Sequence, residues 1–414
     1  MIQLSDIQKA RVKIGNVARH TPVMTCAAVT RRLPEFSGLD TGDQESDPLR
    51  FKAENLQRTG SFKIRGAYFR LSQLSAGERA RSVAAVSAGN HAQGVALAAK
   101  LLGIQATIFM PRSGSHAKIQ ATEGYGARVV LAGETFDEAS QACQAYIAES
   151  GAVYISPYDD DGIITGQGTL GLEILDDIPD LKTLVVPIGG GGLFSGLAVS
   201  LKETRPSIRV IGVQAEGSDA AYQSFKAGRL LPREKPTQTI CDGIAIKSPS
   251  PRTFEYIQRY ADDVVTVSDT EVVSALFVLL ERAKQVVEPS GAAAAAAVLA
   301  GKVPIDGRTA IVLCGGNIDM LRLADVAQRE MLRTGHYLHL FTTCTDKPGG
   351  LAKVISVVAA MRGNIVEVHH NRLSAQVPIG KTGVELMIEV SDTGHAEEVL
   401  SALTDAGFAW ERMM

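Results

Sequence analysis

From about residue 83 onward, short runs of β-branched and aliphatic residues alternate with longer amphipathic stretches. The runs that predict buried strands are VAAVS, ATIFMP, ARVVLAG and AVYISP, followed by TLVVPIGG, RVIGVQA, DVVTVS and AIVLCGG. Between the first two, HAQGVALAAKLLG places its apolar residues at helical spacing. Buried strands interleaved with helices of this length predict parallel α/β sheets. The two groups of strands predict two sheets, of which the first group, roughly residues 83 to 156, forms the smaller lobe.

After Gly335 the pattern changes to that of a smaller mixed unit. HLFTTCTD, NIVEVHHNRL and GVELMIEVS alternate as strands, LAKVISVVAAM and HAEEVLSALTDAGF have helical periodicity, and AWERM supplies a last strand. This order, βαββαβ, predicts a ferredoxin-like fold. Two interpretations stay open for the unit: a packing or dimerisation module, or a sensor whose DKPGG turn binds a carboxylate through backbone amides. We therefore expect domains at 1–335 and 336–414, with a small lobe of about residues 64–157 inserted in the first.

Composition and charge narrow the class of protein. The chain has 414 residues, of which 45% are hydrophobic and 21% charged, as in soluble globular proteins. A net charge of -3 gives no electrostatic reason to expect binding to nucleic acid or to an anionic membrane. The N-terminal stretch MIQLSDIQKARVKIG lacks the apolar core of a signal peptide, and no apolar run approaches the length of a transmembrane helix. We expect a cytoplasmic protein.

The cysteines are scattered, at positions 26, 143, 241, 314 and 344, and they form no CxxC or Cys/His metal-binding spacing. Their odd number and wide spacing argue against a disulfide framework. Cys314 differs from the others because it opens a glycine-rich turn.

Three glycine-rich turns each follow a predicted strand. Ser87–His91 follows VAAV, Gly189–Leu193 follows TLVVPI, and Cys314–Asn317 follows AIVL. Ligands of open parallel sheets bind at the carboxyl ends of the strands, which is where all three turns lie. One such turn is weak support for a site, since glycine commonly ends strands, but three are much stronger.

The tetraglycine turn predicts a phosphate site. Four residues without Cβ let backbone N–H groups converge on an anion, and a helix that starts at Leu193 adds its positive dipole end. Gly189, Gly191 and Phe194 break the dinucleotide fingerprint at its third glycine, and the sequence has no P-loop. Lys63, within TGSFKIRGA, would by itself be interpreted as a surface lysine. Together with a phosphate cradle it indicates pyridoxal phosphate, which needs an anion site and an amine for its Schiff base.

The segments ENLQRTGSFKIRGA, SAGNHAQG, GGGGL, EPSGA and CGGNID together closely resemble the threonine dehydratases, also called threonine ammonia-lyases. The resemblance covers about residues 5 to 333 and implies the tryptophan synthase β-like, fold type II architecture of pyridoxal-phosphate enzymes, with two parallel-sheet lobes. The tail that contains DKPGG resembles an ACT domain, the amino-acid-sensing module of regulated members. The implied reaction is the α,β-elimination of L-threonine to 2-oxobutanoate and ammonia, in isoleucine biosynthesis or in threonine catabolism.

The resemblance also implies roles for individual residues. Lys63 is expected to form the Schiff base and to remove the α-proton, with Phe62 and Asn90 beside the cofactor ring. Asn90 is expected to form a hydrogen bond with the phenolic oxygen, and Cys314 to lie beside the pyridine nitrogen as a neutral partner. The phosphate is expected on Gly189, Gly190, Gly191, Gly192 and Leu193. The substrate carboxylate is expected on the loop of Ser87, Ala88, Gly89, Asn90 and His91, where His91 is interpreted as a loop anchor and not as a general base.

Several alternatives stay open. Serine racemases of this fold carry a serine where this chain has Ala88, so the sequence favours one-sided elimination, with serine as a slower substrate. A broad L-serine/L-threonine dehydratase, a serine racemase-like enzyme and a β-replacement enzyme are the other enzymatic interpretations. A catalytically silent amino-acid-binding regulator is the non-enzymatic one. The retained Lys63, Asn90 and tetraglycine turn argue against it.

The resemblance implies two further partners. Some relatives bind a monovalent or divalent cation beside the segment that corresponds to 214–222, where Glu216 would be a ligand. The alternative interpretation of Glu216 is an ordinary surface carboxylate. ACT units usually pair between subunits, so we expect a homodimer or homotetramer, with isoleucine, another amino acid or no effector at the C-terminal unit.

Overall fold

The computed structural model describes residues 1–38, 45–233, 235–372 and 377–413. The chain divides into two compact units, Met1–Asp319 and Met320–Met414. This division precedes the helix Met320–Arg333, whereas the predicted boundary after residue 335 places that helix in the first domain. Within the described residues, no helix has both the length and the apolar character needed to cross a bilayer.

The first unit alternates strands and helices. Its strands are β1 (Val23–Met24), β2 (Leu49–Lys52), β3 (Val83–Val86), β4 (Ala106–Met110), β5 (Arg128–Leu131), β6 (Val153–Tyr154), β7 (Thr183–Pro187), β8 (Arg209–Ala215), β9 (Asp263–Val267) and β10 (Thr309–Val312). Its helices are α1 (Leu4–Ile14), α2 (Ala27–Thr30), α3 (Lys63–Ser72), α4 (Ala76–Ala80), α5 (Asn90–Leu102), α6 (His116–Gly124), α7 (Phe136–Ser150), α8 (Asp161–Asp177), α9 (Gly192–Thr204), α10 (Ala220–Ala227), α11 (Pro251–Tyr260), α12 (Asp269–Glu281) and α13 (Pro289–Leu299). Short 3-10 segments include Glu54–Leu56, Glu216–Ser218 and Asp242–Ile244.

The described strands of this unit form two sheets. One has the order β1-β2-β10-β7-β8-β9, and the other has the order β5-β4-β3-β6. All neighbours run parallel except β1 and β2, which pair antiparallel. The smaller sheet holds the first group of predicted strands, so the prediction of parallel α/β sheets is confirmed. The larger sheet also includes β1 and β2, which the sequence pattern did not predict.

Glycines allow the helices of the first unit to pack closely around Lys63. A Cβ on Gly166 of α8 would lie 2.6 Å from Cα of Gly66 in α3, so side chains at these positions would separate the two helices. A Cβ on Gly94 of α5 would lie 3.1 Å from the Cβ atom of Lys63. The first turn of α3, which begins at Lys63, is therefore held between α8 and α5.

The second unit begins with α14 (Met320–Arg333) and continues as β11 (Tyr337–Thr345), α15 (Gly350–Ala360), β12 (Asn364–Asn371), β13 (Lys381–Glu389), α16 (Thr393–Asp405) and β14 (Trp410–Arg412). Its described strands form an antiparallel sheet of order β12-β13-β11-β14. Val354 and Val358 of α15 pack with Val399 and Leu403 of α16 in a buried apolar core. This is the βαββαβ, ferredoxin-like topology that the sequence predicted. Leu373, at the end of a predicted strand, lies outside the described residues.

Candidate active site

A cavity of about 260 Å³ lies at the carboxyl ends of β3, β7 and β10. Both lobes of the first unit contribute to its wall. The predicted cofactor and substrate residues that line it are Phe62, Lys63, Ser87, Ala88, Gly89, Asn90, His91, Gly189, Gly190, Gly191, Gly192, Leu193 and Cys314. The structure therefore brings together three turns and a lysine that are far apart in the sequence, and their individual roles stay predictions.

Lys63 presents its amine to this cavity. Its Nζ atom donates a 2.9 Å hydrogen bond to the carbonyl oxygen of Pro157 and lies 5.1 Å from the centre of the Phe62 ring. Burial lowers the pKa of Lys63 to about 8, although Cys314 and Glu288 act in the opposite direction. An amine with this pKa is partly neutral near physiological pH, as a nucleophile or a general base must be.

The tetraglycine turn forms a cradle at the N-terminus of α9. Gly191 has φ +93°, a left-handed conformation that favours glycine. A Cβ on Gly190 would lie 2.2 Å from Cδ1 of Tyr158, and one on Gly192 would lie 3.0 Å from Cα of the same tyrosine. Side chains at these positions would therefore collide with the wall of the cavity. The backbone N–H groups of the turn and the helix dipole make the site suitable for a phosphate.

The loop after β3 leads directly into α5, whose first residue is Asn90. Ser87 Oγ accepts a 3.2 Å hydrogen bond from the N–H of Gly89, which shapes the loop. His91 is buried, and burial together with the Lys63 charge lowers its pKa to about 3. Its neutral ring donates from Nε2 to the carbonyl oxygen of Ile155 at 2.9 Å. This geometry suits a loop anchor and does not suit a general base.

Cys314 follows the end of β10 and is 4% exposed. Its thiol lies 3.6 Å from the carbonyl oxygen of Ser290 and donates to it. Burial raises the pKa of the thiol far above its ordinary value, and the nearby Glu288 carboxyl acts in the same direction. The thiol therefore stays neutral and cannot supply a charge to a ring nitrogen beside it.

The sequence profile of the family described as "Pyridoxal-phosphate dependent enzyme" matches residues 21–315. The chain belongs to this family. Among curated relatives, an L-threonine ammonia-lyase from Thermotoga maritima is 42% identical over 409 residues, which cover 99% of this chain and 98% of the relative. The resemblance that the sequence motifs indicated is thus confirmed at the level of the pyridoxal-phosphate family and of its threonine ammonia-lyase relatives.

Solved structures agree with this assignment. A processed threonine deaminase, isoform 2, from Solanum lycopersicum has a TM-score of 0.72 and 34% identity, covering 80% of this chain and 87% of its own. A serine racemase from maize has a TM-score of 0.71 and 33% identity, covering 81% and 99%. The first unit therefore has the fold type II architecture.

The cavity of this enzyme fits pyridoxal phosphate. The turn Gly189–Leu193 lines the cavity and offers backbone N–H donors for the phosphate, and a Cβ on Gly190 would collide with the Tyr158 ring, so the turn keeps this shape only with glycine there. Lys63 offers an amine with a lowered pKa on the same cavity wall, where the aldehyde must react. The neutral Cys314 thiol suits a ring nitrogen without a proton. The enzyme depends on pyridoxal phosphate.

Sequence reasoning missed several residues of this pyridoxal-phosphate site. Glu288, the first residue of EPSGA, lines the cavity, and burial followed by the Asp242 charge raises its pKa to about 7. EPSGA contributes to the family resemblance, but the sequence pattern indicates no role for this carboxyl group. Tyr158, Lys118 and Asp242 also line the cavity. Lys118 Nζ lies 3.1 Å from Asp242 Oδ2 and so joins the small lobe to the large one, a contact that no sequence motif indicates.

Glu216 does not line the cavity. It lies in the 3-10 segment after β8 with an exposed side chain, 3.6 Å from Lys302 Nζ. In the part of the chain that the structure describes, no group of three or more His, Cys, Asp or Glu side chains could hold a metal ion. The cation site at Glu216 stays a prediction.

Proposed function

We propose that the protein is a threonine ammonia-lyase that converts L-threonine to 2-oxobutanoate and ammonia. The observation that supports this most is the single cavity that holds the Lys63 amine, the glycine cradle, the neutral Cys314 thiol and the loop after β3. These are the parts that α,β-elimination from an amino acid requires. The relatives named L-threonine ammonia-lyase point in the same direction.

Pyridoxal phosphate, when bound, supplies the electron sink that makes the α-proton of the amino acid acidic. The chain supplies the base: the amine of Lys63, with its pKa of about 8, takes the proton from Cα. The backbone amides and the Ser87 hydroxyl of the loop 87–91 hold the substrate carboxylate, which fixes Cα beside Lys63. The neutral thiol of Cys314 would not help to stabilise negative charge that develops when Cα loses its proton. Elimination is therefore favoured over side reactions that need a long-lived carbanion at Cα.

The overall reaction balances without an oxidant. Threonine loses its α-proton and its β-hydroxyl as water, which leaves 2-aminocrotonate. This enamine tautomerises to an imine, takes up water and releases ammonia, giving 2-oxobutanoate. The proton that Lys63 accepts is available to the departing oxygen or to the product, so the amine is regenerated for the next turnover.

The side chain at position 88 supports elimination over racemisation. Ala88 lines the cavity, but its side chain carries no acid or base and so cannot be the second proton carrier that racemisation needs. L-Serine, which lacks the γ-methyl of threonine, is expected to be a slower substrate, since one methyl group is worth only about 1–3 kcal/mol of discrimination. A broad serine/threonine dehydratase is therefore the nearest alternative.

For the second unit we propose an ACT-like regulatory role. Its ferredoxin-like topology and its DKPGG turn support this, because Gly349 has φ +86° and α15 starts directly after it. An amino-acid effector, such as isoleucine, would bind there, and paired units would make the protein a homodimer or homotetramer. The effector that changes the rate of threonine turnover would distinguish a role in isoleucine biosynthesis from one in threonine catabolism.

The test is a set of initial rates with the purified holoenzyme, with threonine and serine as substrates and with isoleucine or valine added. We expect 2-oxobutanoate from threonine, and we expect Lys63→Ala to remove both this activity and the visible absorbance band of the bound cofactor. A holoenzyme that has this band but makes no keto acid from either substrate would rule out the proposed activity. A protein without the band would support the silent amino-acid-binding regulator.

A further inference from the structure

Asn90 belongs to a continuous chain of hydrogen bonds at the wall of the cavity, which Asn90 and Glu288 line. Asn317 Nδ2 donates to the carbonyl oxygen of Thr59 and to Oδ1 of Asn90, both at 2.8 Å. Asn90 Nδ2 in turn donates to Oε1 of Glu288 at 2.6 Å. The chain therefore connects the segment before Lys63, the turn after β10, the start of α5 and the start of α13.

The direction of every amide in this chain is fixed by the group at its end. The carbonyl of Thr59 can only accept, so Asn317 must turn its NH₂ group towards Thr59 and Asn90. Asn90 must then offer Oδ1 to Asn317. As a result, the NH₂ group of Asn90 faces Glu288. An amide nitrogen carries two hydrogens, so the bond to Glu288 leaves the other for a ligand in the cavity that Asn90 lines.

The fold holds the carboxyl group of Glu288 firmly at the end of this chain. Glu288 is 3% exposed and is the N-cap residue of α13. Its backbone N–H donates to the carbonyl oxygen of Gly315 at 3.0 Å. A Cβ on Gly315 would lie 2.3 Å from Glu288 Oε1, so only glycine lets the carboxyl group reach Asn90 from this side. A buried carboxyl group that costs desolvation and contacts an active-site amide calls for a functional explanation.

We propose that Glu288 and Asn317 are positioning residues that fix the Asn90 amide so that it offers an N–H, and not its oxygen, to the phenolic oxygen of pyridoxal phosphate. The inference rests on the proposed function and on the hydrogen bond between Asn90 and the phenolic oxygen that the sequence resemblance implies. Without the two neighbours, the nearly symmetric Asn90 amide could rotate by half a turn and present Oδ1 to a phenolate, which is repulsive. The expected consequence is weaker cofactor binding and a changed cofactor spectrum.

The decisive substitution is Asn317→Asp. Its carboxylate accepts but does not donate, so Asn90 must rotate to give it an N–H, and Oδ1 then faces both Glu288 and the cavity. We expect cofactor affinity to fall by about tenfold or more, which is the typical effect of an unmatched polar group in a buried site, and the absorbance maximum of the bound cofactor to shift. Glu288→Gln is the conservative control, because its amide oxygen still accepts from Asn90, and we expect its cofactor affinity to stay within about threefold of the wild type.

The double variant with Asn317→Asp and Glu288→Gln separates positioning from stability. In it, the new amide of residue 288 can donate to the rotated Asn90, so the midpoint of thermal unfolding should recover while cofactor affinity and the absorbance maximum do not. Cofactor affinity and the absorbance maximum are both measured by titrating the apoenzyme with pyridoxal phosphate. Neither measurement needs turnover of threonine. A wild type that binds the cofactor but leaves threonine unchanged would thus defeat the proposed function and leave this inference standing.

Two results would overturn the inference. One is an Asn317→Asp variant with unchanged cofactor affinity and spectrum. The other is a double variant in which cofactor affinity recovers together with thermal stability. That result would mean that this chain of hydrogen bonds contributes only to folding. If Asn317→Asp does not fold, Asn317→Ala replaces it. That variant removes the donor to Asn90 without imposing an acceptor, and it is expected to lose about threefold to tenfold in cofactor affinity.

Discussion

The Arg65 guanidinium binds Glu54 through two parallel hydrogen bonds, from Nε to Oε2 at 2.8 Å and from Nη2 to Oε1 at 2.9 Å. Arg65 is 1% exposed and Glu54 is fully buried. On its other side Arg65 donates to Glu173 of α8 at 2.6 and 2.9 Å. Arg65 lies two residues after Lys63 in α3, so this ion cluster fixes the helix that carries the reactive amine.

We expect Arg65→Met to destabilise the protein strongly. The substitution leaves the carboxylates of Glu54 and Glu173 buried without their shared cation, which typically costs about 3–5 kcal/mol. The measurement is the free energy of unfolding in urea. Arg209→Met is the matched control, since Arg209 pairs with Asp306 at 3.0 Å at the surface, where an ion pair contributes about 1 kcal/mol or less. An equal decrease in the free energy of unfolding in the two variants would contradict the structural role of the cluster.

The same cluster predicts how stability depends on pH. Burial alone would raise the pKa of Glu54, but the Arg65 charge and its hydrogen bonds outweigh burial and lower it below the ordinary value of 4.5. A carboxyl group with a lowered folded-state pKa stabilises the protein above its unfolded-state value, and this contribution is lost as the pH falls towards the folded-state pKa. Unfolding in urea at successive pH values below about 4.5 should show this loss. Glu54→Gln should be less stable at neutral pH and should show a shallower acid dependence. An unchanged slope would mean that other groups account for the acid sensitivity.

The hydrophobic pattern predicted β3 to β10 because those strands are short runs of β-branched and aliphatic residues between helical stretches. It did not predict β2, which reads LRFK and places Arg50 and Lys52 in the interior. Lys52 is tolerated there because its Nζ lies 2.8 Å from Asp177, a residue 125 positions away. A partner at that distance in sequence leaves no local signal, so a charged strand could not be distinguished from a loop.

The candidate site shows the same limit. The glycine turns and Lys63 could be found because backbone approach and positive φ require particular residues at particular positions. Tyr158 and Glu288 could not, since a tyrosine that covers a glycine cradle and a carboxyl group that contacts Asn90 acquire their roles from the tertiary contact alone. Only the resemblance, through EPSGA, drew attention to the segment that holds Glu288.

The lowered pKa of Lys63 predicts the pH dependence of cofactor attachment. Burial favours the neutral amine and brings the pKa to about 8 from 10.5. Only the neutral amine attacks the aldehyde, so the rate should rise about tenfold per pH unit below pH 8 and level off above it. The growth of visible absorbance after mixing apoenzyme with pyridoxal phosphate measures this rate. Nα-acetyl-lysine in the same buffers is the control. Its free ε-amine has an unshifted pKa, and it reacts with the same cofactor, whose own protonation changes affect both reactions equally. A midpoint for the protein near that of the free lysine would contradict the burial effect.

The glycine cradle predicts that a single methyl group weakens cofactor binding. A Cβ on Gly190 would lie 2.2 to 2.5 Å from three atoms of the Tyr158 ring, so Gly190→Ala must displace the ring or the backbone donors. We expect the cofactor dissociation constant to rise by at least about tenfold. Gly77→Ala is the control, because a Cβ there meets nothing within 4 Å and should leave binding unchanged. Adding Tyr158→Ala should recover part of the affinity. If it does not, the collision with the ring is not the cause.

The alanine at position 88 predicts that Ala88→Ser gains racemase activity. Ala88 lines the cavity, so the hydroxyl group that Ala88→Ser adds would lie at the cavity wall. The resemblance to serine racemases implies that the hydroxyl added by Ala88→Ser would act as a second proton donor, on the substrate face away from Lys63. Positioned acid–base groups contribute about 10²–10⁴-fold to proton transfer. We expect chiral analysis to detect D-serine formed from L-serine at least about tenfold faster than in the wild type. Ala88→Gly is the matched control and should form none above background. If Ala88→Ser likewise yields only pyruvate, with no D-serine, residue 88 does not decide between the two reactions.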